Sequence, residues 1–152
     1  MDELFGAGGP TTLVSSPAPA VQLPSPELLL RGEERDGSVR TLRLHLASPR
    51  QAWRAYVVPG PGVELLGAAL GNGSPVVIQT GSLDVPGLPA EGLDFTFQVR
   101  AYGPLSFSVI DQTPGLPEVA GAAAQPADVM PAPTPDNLRG LATVVHTSVV
   151  FP

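Results

Sequence analysis

Three observations predict an all-β fold, an antiparallel two-sheet β-sandwich of about seven or eight strands. Apolar residues alternate with polar ones at a period of two, turn signals separate the runs, and no long segment carries helical spacing. The 19 prolines agree with this, because none falls inside an apolar run and proline cannot donate to a sheet ladder.

Taken in order, Glu27 to Arg31 is the weakest strand candidate. Glu33, Glu34 and Asp36 follow it between Gly32 and Gly37, a grouping expected to form a solvated hairpin turn rather than a pair of working carboxylates. Leu42, Leu44 and Leu46 alternate with Thr41, Arg43 and His45 and are stopped by Ser48-Pro49. Ala52 to Val58 is rich in aromatic and branched residues, as strands are. Val63 to Leu70 has two readings, since Val63, Leu66 and Leu70 also fit a helix that Gly71 would cap. Asn72-Gly73 leading into Val76 to Thr80 favours a strand and a hairpin. Leu93, Phe95, Phe97 and Val99 alternate with Asp94, Thr96, Gln98 and Arg100, the clearest strand of the chain. Leu105, Phe107 and Val109 repeat the pattern after Tyr102-Gly103-Pro104, so the two runs are expected to form a hairpin. Thr143 to Phe151, dominated by valine and threonine, is the last strand.

Two stretches hold 11 of the 19 prolines and read as connections: a linker or tail over residues 1–26 and a Pro/Ala-rich loop over residues 112–140, inside a domain spanning 27–152. Thr134-Pro135-Asp136 has the form of a capped helical turn within that loop. Leu42, Leu44, Leu46, Phe95, Phe97, Val99, Leu105, Phe107 and Val109 are the expected core.

The 152 residues include no Cys and no Lys, with 8 Arg against 14 Asp plus Glu and a net charge of −6. Disulfides, iron–sulfur clusters, cysteine zinc sites and cysteine nucleophiles are thereby excluded. Scattered arginines on an acidic chain make nucleic acid an unexpected partner. The opening residues lack the basic and apolar regions of a secretory signal, and no apolar run reaches the ~18 residues of a membrane helix, so the chain reads as soluble and without an address.

Catalytic and metal-binding patterns are also missing. His45 and His146 alternate with apolar residues in strands, and neither has a second histidine or a carboxylate at ligand spacing along the chain. Gly73-Ser74-Pro75 and Gly81-Ser82-Leu83 lack the nucleophile-elbow pattern, and Gly60-Pro61-Gly62 lacks the lysine and spacing of a phosphate loop. No catalytic, cofactor-binding or metal-ligating residue is assigned, and no cofactor is expected. The candidate interaction residues are Arg50, Trp53, Tyr56, Tyr102 and Asp111. Arg50, after the Ser48-Pro49 turn, is expected to hold loop carbonyls, and Asp111 to cap its own turn or meet a partner. Trp53 and Tyr56, three apart on a strand, point to opposite faces, so at most one lines a ligand groove. Trp53 is read as a core position.

Several ordered stretches carry a resemblance: Ser38-Val39-Arg40-Thr41-Leu42-Arg43-Leu44, Ala47-Ser48-Pro49-Arg50-Gln51-Ala52, Glu91-Gly92-Leu93, Asp111-Gln112-Thr113-Pro114-Gly115-Leu116-Pro117, Gln125-Pro126-Ala127-Asp128-Val129-Met130-Pro131 and Val149-Val150-Phe151. From Glu27 to Pro152 the chain resembles the C-terminal domain of multi-pass membrane zinc aminopeptidases of the vacuolar membrane protease and endoplasmic-reticulum metallopeptidase type, which have bacterial relatives. The resemblance implies a β-rich module on the extracytoplasmic side, periplasmic or at the cell surface, that follows a catalytic zinc domain and membrane helices. Residues 1–26 then correspond to the linker after the last membrane helix. No position here matches the family's zinc-binding motifs, so no catalytic residue carries over. The expected function is a non-catalytic accessory domain that docks on, or supports, a peptidase catalytic domain or a membrane-embedded region. The alternative is a free-standing carbohydrate- or peptide-binding module.

Overall fold

The structure, a computed structural model, describes residues 21–71, 76–77, 81–115 and 142–152. Within them the chain is all β. The strands are β1 (Glu27–Asp36), β2 (Val39–Ala47), β3 (Arg54–Pro59), β4 (Glu64–Leu70), β5 (Val76–Val77), β6 (Leu83–Pro86), β7 (Leu93–Arg100), β8 (Leu105–Pro114) and β9 (Ala142–Phe151). They form two antiparallel sheets, ordered β1-β2-β7-β4-β5 and β6-β3-β8-β9. This is the expected sandwich; β5 falls in the expected Val76 to Thr80 run, and the ninth strand is β6, which the sequence pattern does not pick out.

The nine expected core residues are each 0 or 1 % exposed, so the period-two phase of β2, β7 and β8 is as read. They meet between the sheets: Phe95 stacks edge-on against Phe97 at 4.8 Å between ring centroids, and Phe97 reaches Phe107 of the opposite sheet at 5.9 Å. Ala55, Val57 and Val85 complete the layer.

Three local expectations are corrected. β7 and β8 do not pair; β7 lies between β2 and β4, whereas β8 lies between β3 and β9. Gly103 does not take the positive φ that a tight primed turn demands, and the Ala101 N–H donates instead to the Ser38 carbonyl at 3.1 Å. The segment Ala101 to Pro104 is thus a corner between sheets. It sets two phenylalanine-rich faces opposite each other, where a hairpin would have placed them side by side. Next, Glu33, Glu34 and Asp36 belong to β1, whose register slips between Leu30 and Gly32; the turn is confined to Gly37 and Ser38, with Gly37 at φ 61°. Finally, β8 continues through Gln112, Thr113 and Pro114, so these are strand rather than loop.

Val63 to Leu70 resolves as strand, because Glu64–Leu70 pairs with β7 and β5. Most of the 1–26 linker, the Asn72-Gly73 turn, residues 78–80, the loop beyond Gly115 and the Thr134-Pro135-Asp136 turn lie outside the described residues.

Candidate functional site

The two ends of the sandwich are closed by two arginines, each drawing together segments that are distant in sequence. At the first end, the β2–β3 connection runs from Ser48 to Trp53. Its tight course depends on Gln51, a non-glycine residue at φ 52°, and on the Gln51 N–H donating to the Ser48 carbonyl at 3.0 Å. Arg50 turns inward there and forms an ion pair with Asp111 of β8, also donating to Thr113 Oγ1 at 3.1 Å. Ser48 Oγ donates to the second Asp111 oxygen at 2.5 Å and accepts the Ala52 N–H at 3.2 Å. Asp111 is fully enclosed and Ser48 and Arg50 nearly so. Arg50 Nε is buried with no hydrogen-bond partner. The Trp53 backbone fastens the same loop, with its N–H on the Gln112 carbonyl at 3.0 Å and its carbonyl accepting the Gly87 N–H at 2.6 Å.

This arrangement holds a loop. A buried hydroxyl that already gives its proton to a carboxylate, with no imidazole beside it, is not an activated nucleophile. Arg50 therefore does have a fixed structural role, but its partners are side chains of β8 rather than loop carbonyls. Asp111 does not cap its own turn: it faces the interior, bonded to Arg50 and Ser48. The sequence carries no signal that Ser48 and Thr113 meet at this site, since the loop's course and the run of β8 past Gln112 bring them to Arg50 and Asp111.

At the other end, Arg40 lies on the core-facing side of β2, 4 % exposed. It donates to Glu33 Oε1 of β1 at 2.5 Å, to the Gly103 carbonyl of the sheet-crossing corner at 3.0 Å and to the Pro152 carbonyl beyond β9 at 3.1 Å. Arg35 shares the same Glu33 oxygen at 2.5 Å. The hydrogen bond from Arg40, outweighing partial burial and helped by Arg35, holds the Glu33 carboxyl below the usual glutamate range. Next to this knot is an open concavity of about 580 Å³, lined by Arg35, Ser38, Arg40, Tyr102, Pro104 and Pro152 among others.

The candidate aromatics are not brought together. Trp53 is not a core residue; it is 39 % exposed beside the Arg50 loop, whereas Tyr102 is 88 % exposed at the opposite end. Tyr56 is half-buried mid-strand under the Arg54 guanidinium, 5.1 Å from its ring centroid. His45 does have a carboxylate: the β2–β7 register sets Asp94 directly across from it, with Nδ1 and Oδ1 2.7 Å apart. Spacing along one strand does not show a cross-strand pair. Among the described residues no three His, Asp or Glu side chains gather as a metal site. No helix among the described residues is long and apolar enough to cross a membrane.

The outer faces of the two sheets differ in charge. Outward positions of the first sheet include Arg43, His45, Asp94, Gln98, Arg100 and Glu64, with Arg100 and Glu64 paired at 2.6 Å. On the second sheet one cross-strand row reads Asp84, Tyr56, Ile110, His146, and its neighbour reads Val58, Ser108, Ser148. Val144 and Val150 add apolar surface, and the Arg54–Asp84 pair is the charge on this face.

Compared with protein-family models, curated proteins and solved structures, the chain matches none, and nothing in those comparisons links it to membrane zinc aminopeptidases.

Proposed function

We propose that this chain is a non-catalytic docking module, counterpart to the C-terminal extracytoplasmic domain of a membrane-bound zinc aminopeptidase, whose second sheet lies against the folded peptidase domain it serves. The observation that carries the reading is the difference between the faces: the first sheet sets Leu29 among several charged side chains, whereas the second carries half-buried Tyr56, Val58 and Ile110 and exposed Val144 and Val150 among serines, with Arg54–Asp84 as its ion pair. Depletion of charge at the centre of a surface is the compositional mark of an interface. The ordered short motifs from Ser38 to Phe151 supply the choice of partner.

The test is binding to the zinc peptidase domain encoded with this chain, in the same or an adjoining reading frame, measured by calorimetry with Ile110→Lys as the face-blocking variant. Saturable binding that Ile110→Lys abolishes while the variant stays folded supports the reading. Cleavage of aminoacyl substrates by the purified zinc-supplemented chain at enzyme-like rates, or the absence of any such peptidase gene, overturns it.

Trp53 favours a second reading, a carbohydrate- or peptide-binding module, because a 39 % exposed indole sits on a loop pinned by Arg50 and Asp111. Glycan-array or peptide-library binding that Trp53→Ala removes without loss of fold would establish it.

A further inference from the structure

The edges of the two sheets are unequally protected. β1 carries Arg31, Glu33, Glu34, Arg35 and Asp36 and is bulged between Leu30 and Gly32. β6 is four residues long and ends on Pro86. Charges, bulges, prolines and brevity are the devices by which an edge strand resists pairing with another chain. β9 has none of them. It runs ten residues, ATVVHTSVVF, without proline or a carboxylate, guanidinium or ammonium group, and among the described residues no strand pairs with its second side. Its outward side chains include Val144 and Val150, 53 % and 63 % exposed.

The order of residues on this edge is nearly palindromic: Val144-Val145-His146-Thr147-Ser148-Val149-Val150. A two-fold interface requires a surface that complements itself, residue i meeting j and j meeting i. We propose that β9 is the seam of a homodimer, pairing antiparallel with β9 of a second copy about a two-fold axis at Thr147. On the outer face Val144 then meets the partner's Val150 and His146 the partner's Ser148. On the inner face Val145 meets the partner's Val149 and Thr143 the partner's Phe151. Outer residues keep to outer residues throughout, as the pleat demands. An axis at His146 would instead set Val144 against serine and the two imidazoles against each other. An axis midway between residues would oppose outer to inner positions. The Thr147 register sets valine against valine on both faces, Val144 with Val150 and Val145 with Val149, and it joins two four-stranded sheets into one of eight whose outer face carries little charge.

This inference goes beyond the docking reading, which concerns the sheet face, and it is tested on the purified chain alone. Sedimentation velocity from micromolar to hundreds of micromolar should show a reversible monomer–dimer equilibrium. Val144→Glu and Val150→Lys, both at exposed positions, should each weaken it by about tenfold or more, since each sets a charge opposite a valine. Mixing the two variants should restore a heterodimer, because the V144E chain's carboxylate then faces the V150K chain's ammonium while the remaining two valines still meet. The chain lacks cysteine, so Thr147→Cys offers an independent reading of the register. Opposed antiparallel residues lie about 4.5–5.5 Å apart at Cα, within disulfide reach. Oxidation should therefore link T147C into a covalent dimer and leave V150C, whose counterpart is several residues away along the seam, unlinked. A chain that remains monomeric throughout, as it would if another of its own segments covered β9, overturns the proposal. So does a dimer that both charges leave intact, or one that V150C links as well as T147C.

Discussion

The Arg50 guanidinium and the Asp111 carboxylate, 61 residues apart in sequence, form an ion pair enclosed at one end of the sandwich, with Ser48 donating to the second carboxylate oxygen at 2.5 Å. Desolvating two charges is costly, and the pair persists because their attraction and the added hydrogen bonds offset that cost only while both partners are present. Asp111→Ala should accordingly destabilise the domain by about 3–5 kcal/mol, since it strands a buried cation. Replacing both charges, as in Arg50→Met with Asp111→Leu, should recover most of the loss. Urea unfolding of the two singles and the double measures the coupling; a near-neutral Asp111→Ala would show that the pair does not hold the loop.

Glu33 supplies a pH dependence. Its folded pKa is depressed, first by the Arg40 hydrogen bond, so in the acid range the unfolded chain binds the proton more readily than the folded one. The stabilisation is fully present above the ordinary glutamate value of 4.5 and is lost as pH falls through the lower folded value. Glu33→Gln should therefore melt below the wild type at neutral pH, and the gap should close as the pH falls below the ordinary glutamate value and through the lower folded one. Melting curves of both proteins across that range check it, because the remaining carboxylates are common to both. A gap that stays constant with pH would exclude Glu33 as the titrating group.

Phe97 sits where both sheets meet, fully buried and in ring contact with Phe95 and Phe107. Phe97→Ala removes the aromatic volume from a close-packed layer and should cost about 3–5 kcal/mol by chemical denaturation. Trp53→Ala, at a partly exposed loop position, should change stability far less.

The contrast between these two positions shows what the sequence makes legible. Period two places Phe95, Phe97, Val99, Leu105, Phe107 and Val109 on the inner face with no knowledge of the partner strands, because pleat alone sets the face. It does not say which sheet a strand joins, and so Ala101 to Pro104 is legible as a break but not as a sheet-crossing corner. Candidate-site residues depend on that missing information. Arg50 can be singled out from its place after a turn, but Asp111 becomes its partner only because β8 lies beside β3, as Asp94 becomes the partner of His45 only through β2–β7. Trp53, an aromatic at a strand end, reads as core by residue type and lies partly in solvent because its strand begins one residue later.

Gly92 and Gly37 separate two reasons for which a chain keeps glycine. Both hold positive φ, at 87° and 61°. A Cβ on Gly37 meets nothing within 4 Å, so Gly37→Ala should cost only the conformational penalty of a left-handed residue, about 1–2 kcal/mol. A Cβ on Gly92 would lie 2.6 Å from the Leu46 carbonyl oxygen and 2.7 Å from His45 Nε2. The imidazole can swing away, but the carbonyl belongs to the end of β2, beside the Leu93 pairing that begins β7, and it can move only by shifting that ladder. Gly92→Ala should therefore exceed Gly37→Ala by a margin readable in denaturant midpoints. Its hydrogen-exchange protection should fall at Leu46 and Leu93 while the Gly37 turn is unaffected. Equal midpoints for the two variants would mean that the β2 end yields to the added Cβ at no cost to its ladder.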